Sequence, residues 1–168
     1  MRFGSIAWYG FWLAEGCKSK NHRGSYYAHC DQTDPDEETL ALFTRLGASV
    51  QRTASGMRFN LGARWYRQVQ DQGLSYEKYI PAWIKAGTPS QLRVLLHWMW
   101  KGDASLAMDR YNTVSRQLAD DVQEVILKTG QTATVTMQGS HLVTLPNHTL
   151  SYSRPMYYVQ RAHGRHGQ

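Results

Sequence analysis

Two carboxylates stand out by where they fall. Glu15 closes the run Ile6-Ala7-Trp8-Tyr9-Gly10-Phe11-Trp12-Leu13-Ala14, nine residues without a charge, and Gly16 follows it. Asp103 closes a second, largely apolar stretch, Leu92-Arg93-Val94-Leu95-Leu96-His97-Trp98-Met99-Trp100-Lys101-Gly102. Uncharged runs of this length read as buried helix or strand, and a charge buried at the end of one is costly unless something pairs with it. Each acid therefore either emerges into solvent as a helix ends or sits at a site with a use for it. A helix C-terminus already carries negative partial charge. Two acids brought together at such ends repel, and the pair becomes favourable with a divalent cation and an anionic ligand beside it.

The elements that must position these acids follow from pattern. Asp34-Pro35-Asp36-Glu37 reads as a helix start, with Asp34 as N-cap and Pro35 at the first helical position. That helix runs through Leu40, Leu42, Phe43 and Leu46 to a C-cap glycine at Gly47. Before it, Lys18 to Gly24 is a basic polar segment with a turn, and Ser25 to Cys30 has the aromatic content of a strand. After it come two expected strands, 48–53 and 57–65, the second carrying Arg58 and Arg64. Ser75 opens a helix interrupted by Pro81 and ended by Gly87, and Thr88-Pro89-Ser90-Gln91 is a capping box that launches the second apolar run.

Past Asp103 the order recurs: an extended segment 106–111 with Arg110, a helix 114–128 ended by Gly130, an alternating strand 132–137, and strands within 141–160 around Pro146-Asn147. The spacing predicts an internal duplication. Residues 163–168 read as a frayed tail.

Composition bounds the partners. A chain of 168 residues holds one domain or two small, intimately packed halves. The net charge of +6, from 19 Lys+Arg against 13 Asp+Glu, suggests a polyanionic partner. Two cysteines favour an intracellular chain. Cys17, His22, His29 and Cys30 lack the paired spacing of zinc modules. The apolar run 6–14 is too short to span a bilayer and has no cleavage signature, so a soluble protein without a membrane role is expected.

Trp8-Tyr9-Gly10-Phe11-Trp12-Leu13-Ala14-Glu15-Gly16 resembles the first motif of the LAGLIDADG homing endonucleases, in their two-motif, single-chain form. Leu96-His97-Trp98-Met99-Trp100-Lys101-Gly102-Asp103-Ala104 resembles the second. Lys78-Tyr79-Ile80-Pro81 and Ser115-Arg116-Gln117-Leu118-Ala119-Asp120-Asp121-Val122-Gln123 also resemble stretches of that family, so the likeness spans nearly the whole chain. Two departures are Trp98, where a small residue is usual, and Ala104 in place of the closing glycine, which reaches backbone conformations alanine does not.

The resemblance implies an α+β fold of two pseudo-symmetric αββαββα-type halves, 1–87 and 88–168, packed through the two motif helices, with antiparallel sheets forming a DNA-binding saddle. On helical spacing, Ala7, Gly10 and Ala14 then face Leu95, Trp98 and Gly102 across the seam, small against large. The resemblance further implies hydrolysis of both strands of a long double-stranded DNA target by a monomer. Glu15 and Asp103 would be the catalytic and metal-binding acids, one for each active site. Carboxylates are hard oxygen ligands suited to Mg2+, or to another divalent cation such as Mn2+.

Basic helpers would come from among Arg58, Arg64, Arg67, Arg154 and Arg161. DNA contacts are expected from Lys18, Lys20, Arg23, Gln32, Arg52, Arg58, Arg64, Arg110, Gln138 and Arg154, with His22, Asn60, His141 and Asn147 as further polar candidates. A rival on the same fold is a non-cutting nucleic-acid-binding protein, such as an RNA-splicing maturase or a degenerate endonuclease. A free-standing, an intron-encoded and an intein-embedded homing endonuclease all fit the motifs.

Overall fold

The computed structural model describes residues 3–103, 109–146 and 149–162, with Asp103 described by its backbone alone. Two helices form its centre. Helix α1 (Phe3–Glu15) is buried at every position from Ile6 to Leu13. That explains the missing charges, because a helix covered on all sides is apolar on all sides. Helix α5 (Pro89–Asp103) lies against it. Its start is the expected capping box: Gln91 N donates to Thr88 Oγ1 at 3.3 Å, and Thr88 N donates to Gln91 Oε1 at 3.0 Å.

The first sheet is antiparallel in the order β1-β2-β4-β3. It comprises β1 (Gly16–Lys20), β2 (Tyr26–Gln32), β3 (Ser49–Thr53) and β4 (Gly56–Leu61), with α2 (Glu37–Arg45) between β2 and β3. The short helix α3 (Ala63–Tyr66), a 3-10 turn at Ser75–Glu77 and helix α4 (Ala82–Lys85) lead into α5. Beyond α5 come β5 (Arg110–Thr113), α6 (Arg116–Lys128), β6 (Thr132–Gln138), β7 (Leu142–Thr144), β8 (Leu150–Tyr152) and β9 (Met156–Ala162). Strands β5-β9-β6 make the second antiparallel sheet, and β7 with β8 forms a separate hairpin.

The repeat is visible in this topology. Strand order β2-β4-β3 in the first sheet corresponds to β5-β9-β6 in the second. Helices α2 and α6 occupy the same place in each series. Both are N-capped by a side chain, Asp36 accepting from Thr39 N and Ser115 accepting from Leu118 N. Both are followed by a glycine in the left-handed region, Gly47 at φ 72° and Gly130 at φ 84°. Residues 104–108, and with them the start of the extended segment expected over 106–111, lie outside the described residues. Alternation turns Ala28, Cys30, Phe59 and Leu61 of the first sheet, and Tyr111 and Val159 of the second, into the core. There they meet a largely aromatic centre, with Phe43 stacked on Phe59 at 4.3 Å and Phe11 edge-on to Phe43 at 5.4 Å.

Four local expectations differ from the structure. The helix expected from Ser75 is a 3-10 turn and a separate α4, because Pro81 has no N–H and biases Ile80 toward extended backbone. Ile80 N donates instead to Asp121 Oδ2 at 2.8 Å. The strand expected over 57–65 stops at Leu61, Gly62 acts as N-cap, and Arg64 is helical. The N-cap of α2 is Asp36, not Asp34, so Pro35 stands outside the helix. The basic segment after Gly16 is itself a strand, β1, paired along its length with β2.

Candidate active site

The seam between α1 and α5 is set by two glycines. A Cβ on Gly10 would lie 2.5 Å from the Leu95 carbonyl oxygen and 3.1 Å from Trp98 Cβ, so glycine lets α5 approach at its bulkiest point. The Trp98 indole itself turns onto Phe11 at 5.9 Å, and Ala7 lies on the same flank beside Val94 and Trp98. At the far end a Cβ on Gly102 would lie 2.5 Å from Ala14 Cβ and 3.1 Å from Glu15 Cγ. The stem of Glu15 therefore rests on the residue just before Asp103, and the two helix C-termini converge. The Asp103 side chain and Ala104 lie outside the described residues.

The closing glycine of the first motif has a steric role. A Cβ on Gly16 would fall 2.2 Å from the Trp12 indole, and Gly16 shows no positive φ. Close approach, not a left-handed turn, requires glycine here.

A buried lysine missing from the expected site residues completes the end of α1. Lys78 Nζ donates to Leu13 O at 2.8 Å and Trp12 O at 3.2 Å and lies 5.0 Å from the Trp12 ring centre. The Tyr111 hydroxyl also donates to Leu13 O, at 3.4 Å. These donors satisfy carbonyls that the helix end leaves open, and the ammonium offsets its negative partial charge. The Cys30 thiol lies nearby. Burial pushes its pKa up, Lys78 opposes this and Glu15 adds to it. The only local signal for Lys78 is its place directly before Tyr79-Ile80-Pro81, a stretch that is apolar on one side while Glu77 precedes it on the other.

The second half has a related arrangement. Trp100, three residues before Asp103 as Trp12 is three before Glu15, lies 4.3 Å beneath the Arg161 guanidinium. Trp100 Nε1 donates to Asp109 Oδ1 at 2.8 Å, and so does Arg161 Nε, at 2.8 Å. Each acid-bearing helix end thus has an indole with a cation on its face.

Two hollows flank these ends. One, of about 230 Å³, is lined by Glu15 with Asp31, Gln32, Thr33, Thr53, Ser55 and Met57. The other, of about 670 Å³, lies along α5 and includes Gln32, Asp36, His97, Trp100, Lys101 and Arg161. Beside it, Lys101 bonds Asp36 and donates to Glu38 Oε2 at 2.8 Å, tying α5 to α2. The Lys101 ammonium, helped by the Thr39 amide, lowers the Asp36 carboxyl pKa to about 2.

The expected DNA-contacting residues divide between sheet faces. Strand alternation places Tyr27, His29 and Asp31 of β2, Gln51 of β3, and Arg58 and Asn60 of β4 on the face turned away from the helices. Lys18 and Lys20 pair with Ala28 and Tyr26 on the opposite side, where Lys18 bonds the Gln70 carbonyl. Arg52 shares that side, opposite Met57, and Gln32 ends β2 near Glu15. Arg23 lies in the β1–β2 turn, and Arg64 lies 5.3 Å from the Trp65 ring on α3. On the second sheet Arg110, Asn112, Thr134, Thr136, Gln138, Tyr158 and Gln160 form the outer face. Arg110 lies 4.3 Å from the Tyr158 ring there. Arg154, between β8 and β9, stacks 3.7 Å from Tyr76. Arg67 follows α3, His141 precedes β7, and Asn147 lies outside the described residues.

This architecture is shared with solved structures of the homing endonuclease I-DmoI. With I-DmoI in complex with DNA and Mn, the chain has 12% identity and a TM-score of 0.57, covering 96% of this chain and 91% of that one. With a single-residue variant of I-DmoI in complex with its target DNA in the presence of Mg, the figures are 10%, 0.60, 95% and 89%. At such identity the likeness defines the fold. No family model matches the sequence. The chain is also 28% identical over 139 residues to a DNA gyrase subunit of Mycobacterium kansasii, covering 72% of this chain and 25% of that protein. It is 25% identical over 157 residues to the replicative DNA helicase DnaB of Rhodothermus marinus, covering 74% of this chain and 16% of that protein. The chain therefore spans only a fraction of the curated relatives it matches.

Proposed function

We propose that the chain is a site-specific homing endonuclease that hydrolyses both strands of a long double-stranded DNA target with divalent metal. The observation that carries the proposal is the seam itself. Gly10 and Gly102 let α1 and α5 close until the stem of Glu15 touches the residue before Asp103. A protein needing only two capped core helices has no reason to bring two acid-bearing helix ends to one point.

We divide the chain into halves 1–87 and 88–168, each supplying one acid, so that a monomer carries both active sites. Glu15 and Asp103 hold the metal in this reading. The chemistry fits Mg2+ or Mn2+: beside Glu15 the hollow is lined by the oxygen-bearing residues Gln32, Thr53 and Ser55, while the Asp31 carboxylate on its rim is engaged by Arg58. Mg2+ takes one or two carboxylates and fills its shell with water and phosphate oxygens. When bound, the metal supplies an activated water and stabilises charge on the attacking and leaving oxygens.

The chain's own residues do the rest. Lys78 fixes the last turn of α1 and so aims Glu15. The outer faces of the two sheets lie along the duplex, with Arg58, Asn60, Arg110 and Gln138 toward base edges. Lys18, Lys20, Arg23, Arg52, Arg64 and Arg154, at edges, turns and the helix side, serve phosphates.

The relatives support a mobile origin. The matched segment makes up a quarter of a gyrase subunit and a sixth of a replicative helicase, two proteins of different names. Such a segment behaves as a portable insertion, as an intein- or intron-borne endonuclease does. The test uses the DNA on either side of the insertion, rejoined without it and cloned in a plasmid. The reading predicts cutting at the junction with Mg2+ and none with EDTA. An uncut junction at every divalent metal tried would refute it.

A further inference from the structure

On the outer face of the first sheet a carboxylate stands where the reading above puts DNA. A carboxylate facing a polyanion is unfavourable unless it is already committed. Asp31 is committed: Arg58 Nε donates to Oδ1 at 2.8 Å and Nη2 donates to Oδ2 at 2.7 Å, across the β2–β4 ladder where the two residues pair directly. The carboxylate is itself held from behind. His29, whose side chain is 4% exposed, sets Nδ1 3.2 Å from Asp31 Oδ1 and Nε2 2.8 Å from Ser19 Oγ. With Asp31 as acceptor, the consistent tautomer carries its proton on Nδ1 and accepts from the Ser19 hydroxyl. Burial, and then Arg58, push the His29 pKa down, which keeps the ring neutral.

The fork constrains what Arg58 can do. A guanidinium has five N–H donors in one plane, and Asp31 takes the Nε–Nη2 edge. The end-on edge, with one hydrogen on each Nη, points away from the carboxylate, and the side chain keeps 30% of its surface exposed. Two parallel donors of this kind match the O6 and N7 acceptors of guanine in the major groove. An arginine already fixed by a fork also loses less freedom on binding than one free in solution.

We infer that Arg58 reads a guanine in the first half-site, and that Asp31, backed by His29 and Ser19, is a positioning residue that aims it. This rests on the DNA-cleaving reading above. The equivalent place in the second sheet is different. Arg110 stands five residues before the N-cap Ser115, as Asp31 stands five before Asp36, and it pairs with Gln160. The two halves therefore present different chemistry at matching positions, and the target is not palindromic there.

The test selects cleavable sequences from a randomised duplex library with the wild-type protein, Arg58→Lys, Arg58→Gln and Asp31→Asn. Wild type is expected to show one base pair with a strong guanine preference. Arg58→Lys, which keeps the charge and loses the fork, should weaken that preference on the order of tenfold and leave other positions alone. Arg58→Gln should shift it toward adenine. Asp31→Asn should relax the same position with a smaller effect. If the profile of Arg58→Lys matches wild type, or falls equally at every position, the inference is wrong while the endonuclease reading stands. If wild type selects no sequence, the endonuclease reading falls first and takes this with it.

Discussion

Replacing Gly102 with alanine separates folding from chemistry. The new methyl would sit 2.5 Å from Ala14 Cβ, whereas carbon atoms in contact rest at roughly 3.5–4.0 Å. Glu15 Cγ, at 3.1 Å, can rotate away, but Ala14 Cβ is fixed to its backbone. The helix ends must therefore part by about 1–1.5 Å. Overpacking of this kind costs about 1–3 kcal/mol, offset by about 1 kcal/mol from replacing glycine inside a helix. The net loss of stability is small.

The catalytic loss is large, because a misplacement of about 1 Å at a reacting centre costs on the order of 100-fold. Thermal unfolding and single-turnover plasmid cleavage measure the two effects side by side. Gly102→Ala should unfold within a few degrees of wild type, bind target DNA normally and cleave about 100-fold more slowly. The double variant Ala14→Gly, Gly102→Ala removes the clash and should recover most of the rate. A Gly102→Ala protein that cuts at the wild-type rate would refute the seam as the device that places the acids.

Other perturbations test other parts of the account. Asp121 is buried and accepts from Ile80 N at 2.8 Å, Lys85 Nζ at 2.7 Å and Gln117 Nε2 at 3.0 Å; Asp121→Ala should cost about 3 kcal/mol in urea unfolding, and a loss under about 1 would contradict its role. Lys78→Met should destabilise by about 2 kcal/mol through the carbonyls it leaves open and should slow cleavage while sparing DNA affinity; unchanged cleavage would remove Lys78 from the site. The Asp36 pKa, about 2, lies below its ordinary value near 4, so its contribution is present above pH ~4 and fades as pH falls from ~4 to 2. Asp36→Asn keeps the cap acceptor and should flatten stability over that window, while costing under about 1 kcal/mol at pH 7 because the pair is solvent-exposed.

The parts legible in the sequence were those written locally. Charge-free runs closed by Glu15 and Asp103, a capping box at Thr88 and glycines at 47 and 130 each fall within one element, and order alone exposed the repeat. What was not legible depends on pairing between distant strands. The Lys18-Ser19-Lys20 stretch has no apolar alternation, so β1 and the side its lysines take are set by β2. The Asp31–Arg58 fork joins residues 27 apart through strand register. Lys78 finds its partners 65 and 66 residues away, on a helix end that exists only once α1 is packed. The broken helix at Pro81 follows from the same long-range pull, because Asp121 offers Ile80 N the acceptor that a helix would have supplied.

The central claim is that Glu15 and Asp103 each serve one strand of the duplex. It is tested most directly by incubating supercoiled plasmid bearing the rejoined insertion site with wild type, Glu15→Gln and Asp103→Asn in Mg2+, then separating nicked from linear product. The account predicts linear DNA from wild type and a fall of at least about 100-fold in double-strand cutting for each variant, nicked circles being the most that either yields. Wild-type rates of linear product from both variants would contradict it.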